Sequence, residues 1–596
     1  MNYTLRLIAL LLSLTCTTGA KAAPNDMATR VQACTACHGE QGRASPEGYY
    51  PRIAGKPAGY LYNQLIAFRD GGRHHAAMTG MVQHLSNDYL LHMANYFAEQ
   101  HPPYPPPAPG NSTPAELLAG KRLVFEGASD RKVPACAACH GQNLMGVQPN
   151  TPGLLGLPKD YLNAQLGQWR NGQRQAAKPD CMHQVVQALT VSELNAASSY
   201  LAAQPVPPNA RAQSANSIEF PLECGTHSRQ PPKANTTNKP NAQQQRGAEL
   251  ARIGNCMGCH TTAGGQPYAG GRAIETPFGR VYASNLTPHP GTGLGRWTAD
   301  DFYRAMHHGI SKNGQYLYPA FPFTEYTRMP RQEVDDLFAY LQSLPAVEQA
   351  TPKPTLRFPY NQRMLLAVWR TLYFTPGEFQ ADPNQSPQWN RGAYLVNGPG
   401  HCAACHTPRG SLGGYQSKAH LLGGNIAELN WFAPALNNHT LHGQGQWTES
   451  ELVQYLQSGA NRHAAASGPM AEVLVHSLQH LDQDDLNAMV VYLKSLPAQA
   501  PVVPQGTELA SRSLQPALRL GKDIYTEQCA KCHGAHGQGE AGKFPALAGN
   551  ATVNAPVASN AIRAVLNGGY SPSTVANPYP YGMPPYRAQL SDAQIA

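Results

Sequence analysis

At 596 residues the chain is too long for one hydrophobic core, and a string of small units is expected. Only 14% of residues are charged while Gly (55) and Pro (52) are abundant, which suits short helical units joined by irregular loops. The net charge of +8 is spread without a Lys/Arg block, so nucleic acid is not expected as a partner and docking to acidic protein faces is.

In chain order, residues 1–22 read as a cleaved secretory signal. Arg6 precedes an apolar run, Leu7–Leu14, too short to span a bilayer, and the small-x-small site Ala20-Lys21-Ala22 stands before Ala23. Cys16 follows Leu14 and Thr15 rather than the small residues of a lipoprotein site, and no later segment is apolar enough to cross a bilayer. The expected location is the periplasm, in solution or attached peripherally to the outer face of the cytoplasmic membrane.

The first unit, 24–100, carries "CTACH": Cys34, Cys37 and His38. This C-x-x-C-H spacing lets two thiols bond the two vinyl groups of one haem while the next residue turns its imidazole onto the iron. One copy leaves room for a redox or zinc pair with an accidental His. Four more copies remove it: Cys136, Cys139, His140 in the second unit (112–204); Cys256, Cys259, His260 in the third (244–346); Cys402, Cys405, His406 in the fourth (388–497); and Cys529, Cys532, His533 in the fifth (517–596). Five covalently bound haem c groups are therefore expected.

Each unit should also supply a second iron ligand before a closing helix. Met78 and Met182 stand seven residues ahead of Leu85 and Leu189, which open apolar 3.6-residue patterns, and Met583 stands seven ahead of Leu590. Met470 takes the place in the fourth unit on a slightly longer lead. A thioether favours ferrous haem and closes the iron to substrates, which suits electron transfer.

The closing helices share a Tyr (Tyr96, Tyr200, Tyr340, Tyr492), and most motifs follow a helix with an early Gly (Gly120, Gly247, Gly392, Gly521), a pairing expected of two helices crossing closely, as in class I cytochromes c. The chain stops at Ala596 as the fifth closing helix begins, so that unit is expected to lack it, and a fragment is the favoured reading. The fold class expected is all-α: five tandem class I domains joined by the Pro-rich linkers 101–111 and 497–516 and a polar linker, 205–243. Cys181 and Cys224 are left over and expected to pair, tying that linker to the Met182 loop. "GLGRWTADDFYRAMHHGI" and "GQGQWTESELVQYLQSGA" repeat one element, with capping boxes at Thr298/Asp301 and Thr448/Glu451.

The front, 24–204, resembles the tandem dihaem cytochromes of the c-four class through "YPRIAGKPAGYLYNQLIAFRDGGR", "MTGM" and "GLPKDYLNAQLGQWRNGQR". From 246 onward, "TPFGRVYASNLTP", "WNRGAYLVNGPGHCAACHTPRG", "GPMAEV" and "FPALAGN" resemble the trihaem cytochrome c subunit of membrane-bound alcohol dehydrogenases and related periplasmic dehydrogenases. The resemblance implies electron transfer from a separate dehydrogenase subunit, with pyrroloquinoline quinone, flavin or molybdenum, to quinone or a terminal oxidase. It also implies that "YPAFPF" departs from a "YPAMPY" pattern in which Met binds the third iron; Phe321 cannot. The replacements are His307, favoured, then His308; Met329, at a core position; or an open, five-coordinate iron. The rival functions are a peroxidase or reductase at that open haem, and a free shuttle cytochrome. No dinucleotide loop, nucleophile elbow or metalloprotease helix suggests an organic-substrate site.

Overall fold

The computed structural model describes residues 26–45, 49–107, 110–226, 241–501 and 515–595; the expected signal segment, with Cys16, lies outside them. The second to fourth units share one plan, because the same local signals recur in each. A leading helix (Pro114–Glu126, Ala242–Ile253, Pro387–Asn397) is followed by a short motif helix (Cys136–His140, Cys256–His260, Ala403–His406) and, after irregular loops, a closing helix (Val191–Ala203, Arg331–Gln342, Gln483–Ser495). Thr113 and Ser386 cap two of the leading helices by accepting from backbone N–H groups of the first turn, and Pro114 and Pro387 occupy positions whose N–H would go unbonded in any case.

Leading and closing helices cross at the expected glycines. A Cβ on Gly120, Gly247 or Gly392 would stand 2.0, 2.0 or 1.9 Å from the carbonyl oxygen of Ala196, Asp336 or Ala488, and within 3.0 Å of the Cβ of Tyr200, Tyr340 or Tyr492. Only hydrogen fits, so the two backbones touch and the Tyr ring closes over the gap. In the fifth unit the helix Gln515–Ile524 carries Gly521 with nothing within 4 Å, and a four-residue turn, Asp592–Ile595, is all that stands at the closing position among the described residues. Both capping boxes form, Thr298 with Asp301 and Thr448 with Glu451.

The chain is mostly helical, and among the described residues four small antiparallel sheets interrupt the loops. The longest pairing sets Ala273–Thr276 against Gly279–Tyr282, in register Ala273 to Tyr282. The last, Gly569–Tyr570 with Gly582–Met583, belongs to the fifth unit. These pairings satisfy backbone groups in Gly-rich loops that no helix can use.

The units also touch out of chain order. The third and fourth meet through Arg272–Glu472 (2.9 Å) and through Ser477 Oγ donating to the Ile253 carbonyl (3.2 Å). The fourth meets the fifth where Asn560 Nδ2 donates to Phe432 O (2.7 Å) and Thr574 Oγ1 to Ser458 O (3.0 Å). The fifth folds back onto the first: Tyr570 is buried in the first unit's core, its hydroxyl donating to Arg30 O (2.9 Å), while Tyr89 Oη donates to Pro580 O (2.7 Å) and Arg30 lies 4.0 Å over Tyr581. The first unit, which also meets the second across the cavity described below, thus joins the second unit to the rear of the chain.

Candidate functional site

The five motif histidines share one arrangement. Each ring bonds through Nδ1 to a backbone carbonyl on the loop that follows: His38 to Pro51 (2.8 Å), His140 to Pro152 (2.8 Å), His260 to Ser284 (2.6 Å), His406 to Pro434 (2.7 Å) and His533 to Pro545 (2.9 Å). A carbonyl accepts, so Nδ1 carries the proton and Nε2 presents its lone pair; this is how a metal-binding imidazole is oriented. Burial lowers the pKa of His38, His140, His260 and His406, keeping those rings neutral as a ligand must be.

The ten motif cysteines form no disulfides with one another. Burial pushes Cys34 and Cys136 up to about 11 and Cys256 and Cys402 up to about 12. Such apolar surroundings disfavour a thiolate and suit the uncharged sulfur of a thioether.

Between the first two units lies a cavity of about 590 Å³ lined by Cys34, Cys37, His38 and Met78 from one side and His140 and Met182 from the other. The proposed ligands of both front units thus face one shared space. Met78 sits in the helix Ala76–Val82 and Met182 in Cys181–Gln187, the latter capped by Asp180 Oδ1 accepting from His183 N (3.1 Å). Cys181 pairs with Cys224, Cα to Cα 5.3 Å, so the residue next to Met182 is tied to the linker as expected.

Buried cations line the same cavity: Arg52, Lys56, Arg73 and Arg174, each at most 7% exposed. Among the described residues none of the four pairs with a carboxylate. Lys56 Nζ donates to Gly153 O (2.9 Å) across the two units, and burial holds its pKa down to about 7. Arg73 donates to Gln64 Oε1 (3.0 Å) and across to Gln165; Arg174 donates to Gln165 Oε1 (2.7 Å) and across to Gln64 Oε1 (2.8 Å). Arg73 lies 4.4 Å over Phe68, and Arg174 lies 3.8 Å over Trp169. Desolvated cations facing an apolar cavity call for anions, and the propionates of haem are such anions. The residues present therefore fit the group on three counts: oriented imidazoles, uncharged thiols and unpaired buried cations. Sequence reasoning missed this constellation, although the signal was available, because Gln64 and Arg73 recur in register as Gln165 and Arg174.

The other expected ligands are more scattered. Met470 lies in the helix Gly468–His476, half-buried against the fourth unit's core, and Met583 in the hairpin strand Gly582–Met583. In the third unit, Phe321 is half-buried with its ring 5.4 Å from Tyr326. Met329 is 1% exposed inside the apolar cluster of Val334, Leu337 and Leu341, so it packs the core. His307 is buried and stacked on Tyr303 at 4.9 Å, with His308 beside it at 4.5 Å, and its Nδ1 has no hydrogen-bond partner among the described residues. Trp447 lies flat on His463 at 5.4 Å, and Trp297 packs against the third unit's core.

Comparison with known proteins decides the family. The family model "Cytochrome c" matches residues 244–345, 390–497 and 518–596. The "Alcohol dehydrogenase (quinone), cytochrome c subunit" of Gluconacetobacter polyoxogenes is 39% identical over 394 residues, covering 63% of this chain and 82% of that protein. The chain belongs to the cytochrome c family. The cytochrome is also 38% identical over 188 residues to the "Thiosulfate dehydrogenase electron acceptor" of Thiomonas intermedia, covering 31% of its own length and 83% of the relative. Among solved structures it is similar to reduced recombinant cytochrome c4 from Pseudomonas stutzeri, with 31% identity, a TM-score of 0.27, and coverage of 30% of this chain and 98% of that one. Cytochrome c domains imply covalently bound haem c. The haem supplies one-electron chemistry at its iron. The motif cysteines would hold the ring by sulfur, the loop carbonyls orient the imidazoles through Nδ1, and Arg52, Lys56, Arg73 and Arg174 would meet the negative charge of the propionates in the front units.

Proposed function

We propose that this cytochrome binds five haem c groups, one at each C-x-x-C-H motif, and relays electrons in the periplasm from the catalytic subunit of a dehydrogenase to quinone or a terminal oxidase. The observation that carries the reading is the fivefold recurrence of a motif helix whose His Nδ1 is held by a following carbonyl, leaving Nε2 to bind iron. The relative in Gluconacetobacter polyoxogenes, a cytochrome c subunit of a quinone alcohol dehydrogenase, supports a dehydrogenase partner. Met78, Met182, Met470 and Met583 are assigned as sixth ligands. In the third unit the assignment is His307, on the strength of its buried Nδ1 without a partner among the described residues. Because imidazole favours ferric iron, that haem sits lowest in potential.

The test is to mix the purified cytochrome with the catalytic subunit of a quinone alcohol dehydrogenase and add that subunit's substrate. Every haem is expected to be reduced and all to be low-spin; failure of such a subunit to reduce the cytochrome contradicts the relay. One observation favours a second reading, in which the third haem is open and reacts as a peroxidase or reductase: Phe321 stands where the resemblance to the trihaem subunits places a Met ligand. Carbon monoxide binding to one haem of five, with a high-spin ferric band, establishes that reading, and absence of both removes it.

A further inference from the structure

The leading helix of the first unit is, among the described residues, only Met27–Arg30, where the second to fourth units have helices of 11 to 13 residues at that place. The space beside its motif helix, Gln32–His38, is taken by the fifth unit. Tyr570 reaches in from the strand Gly569–Tyr570, is 8% exposed, and joins the apolar cluster of Val31, Ala33 and Tyr89. Its hydroxyl donates to Arg30 O (2.9 Å) and lies 3.6 Å from Cys34 Sγ, one of the two sulfurs of the first motif.

Further contacts pin the hairpin there. Gly582, opposite Tyr570 in the hairpin, is packed so closely that a Cβ would stand 2.4 Å from Tyr570 Cζ and 2.8 Å from Ala33 Cβ. The Tyr89 hydroxyl donates to Pro580 O (2.7 Å), the Tyr89 ring meets Tyr570 edge to face at 6.1 Å, and Ser573 N donates to His84 O (2.9 Å). The consequence lies in the cavity. The space that Cys34, Cys37, His38 and Met78 face is walled also by Tyr570 and Pro585, both residues of the fifth unit. A buried ring in such a wall keeps water out, and water near a haem favours ferric iron by solvating its extra positive charge.

We propose that Tyr570 is part of the first unit's haem site: supplied by the fifth unit, it closes the wall beside Cys34 and, by excluding water, holds the first haem's reduction potential up. This deepens the relay proposed above, because seating of the fifth unit then sets the driving force at the first. It rests on a haem being held at Cys34 and Cys37.

The experiment is a spectroelectrochemical titration of the full haem-loaded chain and of Tyr570→Ala, Tyr570→Leu and Tyr570→Phe. The first haem's wave is the one lost in Cys34→Ala/Cys37→Ala, and the fifth's is the one lost in Cys529→Ala/Cys532→Ala. The expected result is a downward shift of the first haem's wave in Tyr570→Ala and a smaller one in Tyr570→Leu. In Tyr570→Phe, which keeps the ring, that wave should lie close to its place in the unaltered chain. Five haems by intact mass and an unchanged low-spin spectrum show that a variant is folded; Tyr570→Leu carries the test if Tyr570→Ala is not. A first-haem wave that stays in place while only the fifth's moves overturns the proposal, because Tyr570 then serves its own unit alone. So does a shift in Tyr570→Phe as large as in Tyr570→Ala, because the ring is then not what keeps water out. If no wave disappears with the cysteines of the first motif, the haem reading falls and this inference with it. A first-haem wave that is present but indifferent to Tyr570 removes the inference and leaves the relay standing.

Discussion

Replacing Gly392 with valine is expected to destabilise the fourth unit by about 3 kcal/mol or more, a large fraction of the stability of a small domain. The reason is steric. The added Cβ would stand 1.9 Å from Ala488 O and 2.5 Å from its carbon, both backbone atoms in the middle of Gln483–Ser495 that cannot swing aside. The crossing helices must separate, and Tyr492, whose hydroxyl receives a hydrogen bond from Asn397 Nδ2 (2.9 Å), loses its seat. The paired control is Gly521→Ala. Nothing lies within 4 Å of that position, so the substitution should cost nothing and gain up to about 1 kcal/mol from helix propensity. Scanning calorimetry with proteolytic mapping of the fourth and fifth units measures both. Equal effects at the two positions would show that the crossing is not what fixes the glycine.

Replacing Met182 with alanine is expected to lower the reduction potential of the second unit's haem on the order of 100 mV, because loss of the thioether removes the ligand that favours ferrous iron. Met78→Ala should do the same in the first unit. The two side chains line one cavity with His38 and His140, and Met182 sits beside the Cys181–Cys224 bridge that holds its loop. Each variant should also gain a high-spin ferric signal from one haem. Spectroelectrochemical titration reads both quantities together. Potentials and spin states unchanged from the unaltered chain would show that these methionines are core filler, and the ligand assignment of the front units would fall.

The repeating parts of this architecture were legible in the sequence because they rest on local chemistry. C-x-x-C-H fixes sulfur and imidazole within five residues, a capping box is read within four, and the Gly and Tyr of each crossing recur at corresponding places in successive units. The pairing of Cys181 with Cys224 was reachable by elimination. What could not be read depends on contacts between distant residues. The loop carbonyls of Pro51, Ser284 and Pro434 carry no side-chain signature, so their role as acceptors for the motif histidines emerges only when the chain is folded. The short hairpins were hidden because strands of two to four residues give no period to detect. The return of the fifth unit onto the first, through Tyr570 against Arg30 and Tyr89 against Pro580, joins residues more than 490 apart, and pattern along the chain does not encode such meetings. That contact changes the functional picture: the rear of the molecule reaches the front through the first unit's own core, where Tyr570 Oη lies 3.6 Å from Cys34 Sγ.

Everything in the proposed relay depends on haem being held covalently at each of the five motifs. The direct measurement is the intact mass of the purified mature chain under denaturing conditions, repeated for variants in which the two cysteines of one motif at a time become alanine. The account predicts an excess over the polypeptide equal to five haems, falling by one haem in each variant. An unmodified polypeptide mass, or an excess that stays the same when a motif is removed, would contradict it.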